Sequence, residues 1–178
     1  MSMESFRSYG KPKQVNYFVI DARLTEKQAG ALIAVSRQRS SEFHQHNNGT
    51  DYTHLDILLM EDDHTVNEIA EMFTVKPSAA SLMRVPANAR IVPHVDGKNY
   101  PRKTAVVFPL REVGKKFAPT SFYKDANDSH SYSDSPDVNC YAFSTEVLHG
   151  VENTEHDRFS LQLWYDIPIK TLSGMKLI

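Results

Sequence analysis

The chain has 178 residues, which is enough for one well-buried core and too few for two domains of ordinary size. Its 20 basic and 22 acidic side chains give a formal net charge of −2, which argues against wholesale electrostatic attraction to nucleic acid or anionic membranes. The single cysteine, Cys140, excludes an intrachain disulfide framework.

Targeting and membrane signals are not evident in the sequence. The first residues lack the apolar core of a signal peptide, and no apolar run approaches the ~20 residues that a membrane helix needs. We therefore expect a single-domain, cytoplasmic protein with no membrane partner and no strong nucleic-acid signal, spanning residues 1–178.

The first half, residues 1–79, predicts a strand and two helices. Residues 1–14 are typical of a loosely held arm, and a β-branched and aromatic run predicts a strand over 15–20. Thr25 and Gln28 have capping-box spacing, which predicts a helix over 25–39. A second capping box at Thr65 and Glu68 predicts a short helix that Pro77 ends. Residues 40–53 are expected to be a loop.

The second half, residues 80–168, predicts short strands over 82–85, 90–96, 104–110, 120–123, 139–143 and 159–165, separated by turn residues. Regularly spaced short strands are typical of a sandwich, barrel or jelly roll. The stretch 125–137 is rich in Ser, Asp and Asn, which favours a mobile surface loop and, near a site, a lid.

His94 and Asp96 are the first chemically informative pair. Side chains alternate along a strand, so an imidazole and a carboxylate two residues apart lie on one face, with Val95 on the other. If His149 reaches the same point, the set is two histidines and one carboxylate, a combination that suits non-haem Fe(II). The alternative for each residue is an ordinary solvated side chain.

Strand 159–165 alternates cleanly. The pattern predicts one face with Phe159, Leu161, Leu163 and Tyr165. The opposite face is predicted to have Arg158, Ser160, Gln162 and Trp164. A guanidinium recognises a carboxylate bidentately, so Arg158 with the Ser160 hydroxyl is suited to anchor a small dicarboxylate.

The order of these motifs resembles the motif pattern of the Fe(II)- and 2-oxoglutarate-dependent oxygenases. The residues that carry the resemblance are His94-Val95-Asp96, His149 and Arg158-Phe159-Ser160. The sequence over 82–94 and 149–153 is similar to the aspartyl/asparaginyl hydroxylase-like branch of the superfamily, and the prolyl hydroxylase-like branch is the alternative. The resemblance covers roughly residues 82–165.

The resemblance implies a mainly β fold with flanking helices, a double-stranded β-helix or cupin-like jelly roll, buttressed by the N-terminal half. It further implies that His94, Asp96 and His149 bind Fe(II), and that Arg158 and Ser160 bind the co-substrate 2-oxoglutarate. With O2, such an enzyme hydroxylates a C–H bond of an amino-acid side chain or small molecule and releases succinate and CO2.

Other polar residues are weaker candidates. Contacts to the co-substrate, or to a small-molecule, peptide or protein substrate, could come from Arg84, Arg102, Lys103 and Thr104. A substrate cleft could be lined by Tyr100, Tyr123 and Tyr132. His44, His46 and His156 are expected to be solvated, and Trp164 to pack against the sheet.

Two alternative functions remain open from the sequence. A cupin-like metal enzyme that does not use 2-oxoglutarate would keep its activity in Arg158→Ala. A non-catalytic jelly-roll binding module would hold no stoichiometric metal, and its histidines would be incidental.

Overall fold

The computed structural model describes residues 6–9, 17–45, 53–57, 64–96, 101–112, 114–115, 117–123, 132–134, 138–153 and 155–172. Its strands, in chain order, are β1 (Phe6–Tyr9), β2 (Tyr17–Ile20), β3 (His44–Gln45), β4 (Thr53–Ile57), β5 (Ala79–Val85), β6 (Ile91–His94), β7 (Thr104–Leu110), β8 (Thr120–Tyr123), β9 (Tyr132–Asp134), β10 (Tyr141–Ser144), β11 (His149–Val151) and β12 (Arg158–Tyr165).

The strands form two antiparallel sheets. The larger sheet has the order β1-β2-β10-β7-β12-β5-β4-β3, and the smaller has the order β6-β11-β8-β9. Phe122 of the smaller sheet packs among Tyr17, Tyr141, Phe143 and Trp164 of the larger one, so the two sheets face each other across a shared interior. The predicted double-stranded β-helix, or jelly roll, is confirmed.

The outer face of the larger sheet is covered by helices. Helix α1 (Glu26–Gln38) begins at Thr25, whose hydroxyl accepts from the Gln28 N–H while the Gln28 side chain accepts from the Thr25 N–H, as the capping box predicted. Leu32 of α1 and Ile69 of α2 (His64–Ala70) pack on Phe159, Leu161, Leu163 and Tyr165 of β12. The alternation predicted for β12 is confirmed.

The boundaries predicted for the second helix were wrong. Helix α2 already includes His64, so Thr65 lies inside the helix instead of capping it. The helix ends at Ala70 because the N–H groups of Met72 and Phe73 donate hydrogen bonds to carbonyls three residues back. Such bonds tighten the last turn, well before Pro77. Packing of Val66 and Ile69, both fully buried, outweighs the local capping signal.

Several short elements were not predicted. The arm over 1–14 contributes β1, and the predicted loop over 40–53 contains a 3-10 helix (Ser40–Glu42) and β3. In the stretch 125–137, β9 pairs with β8, while the rest of that stretch, including any lid, lies outside the described residues, as do His46 and Tyr100. A short helix, α3 (Ile169–Leu172), follows β12.

The N-terminal half does more than support the sheet. Its strands β1 to β4 lie at both edges of the larger sheet, hydrogen-bonded to β10 and β5 of the second half. The single domain over 1–178, with a buttress at 1–79 and a core at 80–168, stays a prediction. No helix among the described ranges has the length and apolar character to cross a bilayer.

Candidate metal centre and co-substrate site

His94 and Asp96 lie where β6 ends. Val95 between them is 48% exposed, whereas the side chains of His94 and Asp96 are only 24% and 18% exposed. The alternation expected of an extended chain is therefore present, with Val95 turned to solvent and its two neighbours turned inward. The His94 Nε2 and Asp96 Oδ1 atoms are 3.5 Å apart.

His149 joins this pair through strand pairing. In β11 it lies directly opposite His94 of β6, and the two imidazole rings are 4.6 Å apart. One donor atom from each of His94, Asp96 and His149 lies within 4.8 Å of the others. Residues 55 positions apart in the chain thus form one cluster of two imidazoles and one carboxylate.

Gly150 allows β11 to approach β6 this closely. A Cβ atom built at Gly150 would lie 2.6 Å from the carbonyl oxygen of Ile91 and 3.3 Å from the Pro93 nitrogen. Real side chains do not tolerate such a contact with backbone atoms, so a larger residue would push the two strands apart. The glycine after His149 therefore has a steric role in bringing the two histidines together.

The histidine rings are oriented by their own main chain. His94 Nδ1 lies 2.9 Å from the Val92 carbonyl oxygen, and His149 Nδ1 lies 2.8 Å from that of Val147. A carbonyl accepts only, so each Nδ1 carries a proton, and in the neutral form of each ring Nε2 is the atom with the lone pair. Hydrogen bonds of this kind fix the tautomer that a metal-binding histidine needs.

The two histidines of the cluster differ in their pKa, and the Asp96 carboxylate has an oxygen open to a cation. Burial, together with nearby His94, lowers the pKa of His149 to about 4, so this imidazole is neutral at pH 7. Burial opposes protonation of His94 too, but the Asp96 carboxylate and the Val92 carbonyl together raise the His94 pKa. Asp96 Oδ2 is buried and has no hydrogen-bond partner among the described residues, so a cation would satisfy it.

Arg158, at the start of β12, is 3% exposed. Its Nε donates to the Ala118 carbonyl at 2.7 Å and one Nη donates to Thr120 Oγ1 at 3.1 Å, while the other Nη lies 3.5 Å from Ser160 Oγ. The guanidinium carbon stands 4.8 Å from the centre of the Phe117 ring. No carboxylate pairs with this cation within the part of the chain that the structure describes.

Tyr141 completes the surroundings of Arg158. Its hydroxyl is 2.6 Å from Thr120 Oγ1, and the phenol is fully buried. Burial raises the Tyr141 pKa despite the nearby Arg158, so the phenol stays protonated at pH 7. Thr120, Tyr141 and Ala118 were not among the predicted site residues, because they reach Arg158 from strands and loops 17 to 40 positions away.

The two parts of the site are close to each other. Thr120, which contacts Arg158, lies two residues along β8 from Phe122, and Phe122 is paired with His149. Two strand residues span about 7 Å. The separation of the Arg158 head group from the metal cluster is therefore roughly the length of a small dicarboxylate.

The interior face of the larger sheet forms rows of paired residues across its strands. The row nearest the cluster contains Phe143, Ala105 and Trp164, and the Phe143 ring is 4.6 Å from that of His149. The next row contains Tyr141, Val107 and Gln162. Gln162 is partly exposed although β12 has a strand on each side, so the space it faces is the interior between the sheets.

Some of the weaker candidates lie elsewhere. Arg84 is on the outer face, paired with Asp157 at 2.8 Å, and Thr104 is buried and donates to the Ile167 carbonyl. Tyr123 donates to Glu152, and His156 is exposed as expected. The side chains of His44 and Tyr132 lie outside the described part of the structure.

No family model and no curated protein matches the sequence. Among solved structures, a prolyl-4-hydroxylase from Pseudomonas putida matches with a TM-score of 0.62 and 16% identity over 80% of this chain and 87% of that chain. A Trichoplax adhaerens prolyl hydroxylase, solved with a peptide of hypoxia inducible factor, matches with a TM-score of 0.62 and 14% identity over 84% and 83% of the two chains.

A non-haem alpha-ketoglutarate-dependent carbocyclase, SnoK from nogalamycin biosynthesis, matches with a TM-score of 0.63 and 11% identity over 84% of this chain and 79% of that chain. At these identities the likeness establishes the fold. The chain therefore has the jelly-roll fold of prolyl hydroxylases and of an alpha-ketoglutarate-dependent carbocyclase. The resemblance inferred from the motifs is confirmed at the level of the fold.

Proposed function

We propose that the protein is an Fe(II)- and 2-oxoglutarate-dependent dioxygenase that hydroxylates a C–H bond of an amino-acid side chain or small molecule. The strand register carries the proposal: Thr120, which contacts the buried Arg158, lies two residues along β8, about 7 Å, from the residue paired with His149 of the three-residue cluster. Arg158 has no acidic partner among the described residues. Neither feature has an evident structural use by itself, and together they match the two ends of one co-substrate.

His94, Asp96 and His149 would hold the metal. Two neutral imidazoles and one carboxylate are the donor set of non-haem Fe(II) oxygenases. Because these three ligands lie on one side of the ion, they leave positions open for other ligands. When bound, iron with O2 and 2-oxoglutarate supplies the oxidant, and the co-substrate leaves as succinate and CO2. The protein contributes position and protection from water.

Arg158 would bind the distal carboxylate of 2-oxoglutarate. An unpaired buried cation is costly, and a carboxylate offers both charge neutralisation and acceptors for guanidinium N–H groups that Ala118 and Thr120 leave unused. Ser160 lies beside the guanidinium and is fully buried, so its hydroxyl is available for a further hydrogen bond. Both residues face the interior because alternate residues of β12 do.

Aromatic side chains would exclude water from this space. Phe122 and Phe143 have ring centres 5.4 Å apart, and Phe143 contacts His149. These rings and Tyr141 belong to one buried aromatic cluster in the interior between the sheets. A dry interior strengthens the charge interactions that hold the co-substrate.

The proposal is tested by succinate formation from 2-oxoglutarate with Fe(II) and ascorbate. We expect slow turnover without a primary substrate in the wild-type chain and its loss in His149→Ala and Asp96→Ala. Iron-loaded protein that makes no succinate, uncoupled turnover included, contradicts the proposal.

Arg158→Ala separates the dioxygenase from the cupin-like alternative. Activity that persists in this variant favours a metal enzyme that does not use 2-oxoglutarate. A chain that binds no stoichiometric metal favours a binding module. The primary substrate, whether a small molecule or a peptide as in the Trichoplax complex, is to be found by turnover screens of amino acids, peptides and nucleosides.

A further inference from the structure

Gln162 lies in the middle of β12, on the face that also carries Ser160 and Trp164. It pairs with Ser81 of β5 on one side and with Val107 of β7 on the other, so the main chain is enclosed at both edges. Every other residue of β12 is buried, whereas Gln162 keeps a partly exposed side chain. Its carboxamide therefore reaches an open part of the space between the two sheets.

The Gln162 carboxamide has no hydrogen-bond partner within the part of the chain that the structure describes. The side chains on either side of it along the interior face do have partners. Ser160 Oγ lies 3.5 Å from an Arg158 Nη, and Trp164 Nε1 donates to Ser81 Oγ at 3.1 Å. A primary amide carries two N–H donors, and these need new acceptors when a ligand displaces water from the space they face.

In the strand register, Gln162 lies between the two parts of the candidate site. In one direction along β12 the interior face leads to the buried Arg158, four residues away. In the other direction the next interior residue is Trp164, whose row contains Phe143, and the Phe143 ring is 4.6 Å from that of His149. Because the co-substrate of the proposed function extends from Arg158 to the metal cluster, it passes the row that contains Gln162.

The side chains around Gln162 have few donors to spare for such a ligand. Val107 is apolar, and the hydroxyl of Tyr141 in the same row lies 2.6 Å from Thr120 Oγ1. The indole N–H of Trp164 is used within the protein. The carboxylates and the keto group of 2-oxoglutarate are acceptors at pH 7, so this co-substrate needs donors along its length. The amide of Gln162 is suited to supply one.

We propose that the Gln162 carboxamide donates a hydrogen bond to the keto-acid end of 2-oxoglutarate and so orients the co-substrate toward the metal cluster. The inference rests on the proposed function and adds a co-substrate-binding residue to it. Arg158 holds the distal end by charge, and Gln162 holds the other end by a neutral donor. A hydrogen bond to a charged acceptor is stronger than one between neutral groups, so its loss is measurable as affinity.

The test measures 2-oxoglutarate binding without oxygen, so that no turnover is involved. Protein loaded with Fe(II) is titrated by calorimetry, and the visible absorption of a keto acid chelated to Fe(II) provides a second readout. Gln162→Leu removes the donors at nearly constant volume, and we expect about tenfold weaker binding. Gln162→Glu keeps the shape but places a negative charge beside a dianion, and we expect binding to weaken by about a hundredfold or more.

Gln38→Leu and Gln38→Glu are the matched controls, because Gln38 is an exposed glutamine of α1, the helix on the outer face of the larger sheet. Both should bind 2-oxoglutarate as the wild type does. Iron affinity without 2-oxoglutarate should be unchanged in Gln162→Leu, which separates a lost co-substrate contact from a distorted metal cluster. Circular dichroism checks that each variant folds, and if Gln162→Leu does not, Gln162→Glu decides by the same comparison.

Wild-type affinity for 2-oxoglutarate in folded Gln162→Leu, an equal loss in Gln38→Leu, or a parallel loss of iron affinity overturns the inference. Its failure is distinguishable from failure of the proposed function. A wild-type chain that binds Fe(II) and 2-oxoglutarate and forms succinate, with a Gln162→Leu variant that binds the co-substrate equally well, contradicts the inference alone. A wild-type chain that binds no 2-oxoglutarate contradicts both.

Discussion

Arg158 combines full burial with a charge that no described acidic residue neutralises, so its substitution is informative. We predict that Arg158→Lys raises the KM for 2-oxoglutarate by about tenfold to a hundredfold, the range for losing charge-assisted hydrogen bonds. A lysine keeps the charge but not the planar fork that contacts Ala118, Thr120 and a carboxylate together. Steady-state succinate assays with varied 2-oxoglutarate measure the change.

The kcat of Arg158→Lys at saturating 2-oxoglutarate should fall much less than kcat/KM, because in the proposed function Arg158 contacts the end of the co-substrate remote from the metal. Iron affinity should be unchanged. A KM within experimental error of the wild type would mean that the co-substrate carboxylate binds elsewhere.

Residue alternation predicted much of the geometry of the candidate site, and the roles that the family resemblance implies for its residues stay predictions. The two-residue spacing of His94 and Asp96 predicted a shared face, and the outward position of Val95 agrees. The contacts around these groups could not be predicted. Thr120 and Tyr141 lie on strands other than that of Arg158, and the Thr145 carbonyl, which accepts the Asp96 N–H, follows β10. Nothing in the sequence around these three residues marks them. The role of Gly150 likewise depends on how closely β6 approaches.

At the scale of elements, the approach of β11 to β6 positions the two histidines. We predict that Gly150→Ala lowers the free energy of unfolding by about 1–3 kcal/mol, because the new methyl group overpacks against the Ile91 carbonyl. Iron affinity should fall as well, since His149 moves relative to His94. Chemical denaturation and anaerobic iron titration measure the two effects.

Gly30→Ala provides the matched control. Gly30 lies inside α1 with nothing within 4 Å of an added Cβ, so alanine should stabilise the chain by roughly 0.5–1 kcal/mol through helix propensity. Iron affinity should not change. Equal effects of the two substitutions on stability and iron binding would show that the contact between β11 and β6 has no special role.

The predicted elements differ in how well local signals specify them. Helix α1 and strand β7 combine a cap or a long apolar run with matching burial, and both were predicted nearly to the residue. Strands β1, β3 and β9 have two to four residues and polar sequences, so only their sheet neighbours define them. The start of α2 depends on the burial of Val66 and Ile69, which a local capping pattern does not contain.

At the scale of the whole molecule, we expect the site to require the N-terminal half of the chain. We predict that a chain of residues 80–178 does not fold, because Leu32, Ile33, Val66 and Ile69 together contribute on the order of 6–12 kcal/mol by burial, comparable to the stability of a domain. The full chain should unfold in one cooperative transition. Circular dichroism and iron binding of both chains provide the measurement, and a folded, iron-binding 80–178 fragment would contradict the single-domain prediction.

The most direct test of the central claim is the iron stoichiometry of the purified chain, measured without oxygen. We predict one Fe(II) per wild-type chain, with 2-oxoglutarate binding that depends on the iron, and loss of iron binding in His149→Ala and in Asp96→Ala when both variants retain the wild-type circular dichroism spectrum. Iron bound equally well by folded His149→Ala and Asp96→Ala chains, or a wild-type chain that binds none, would contradict the account.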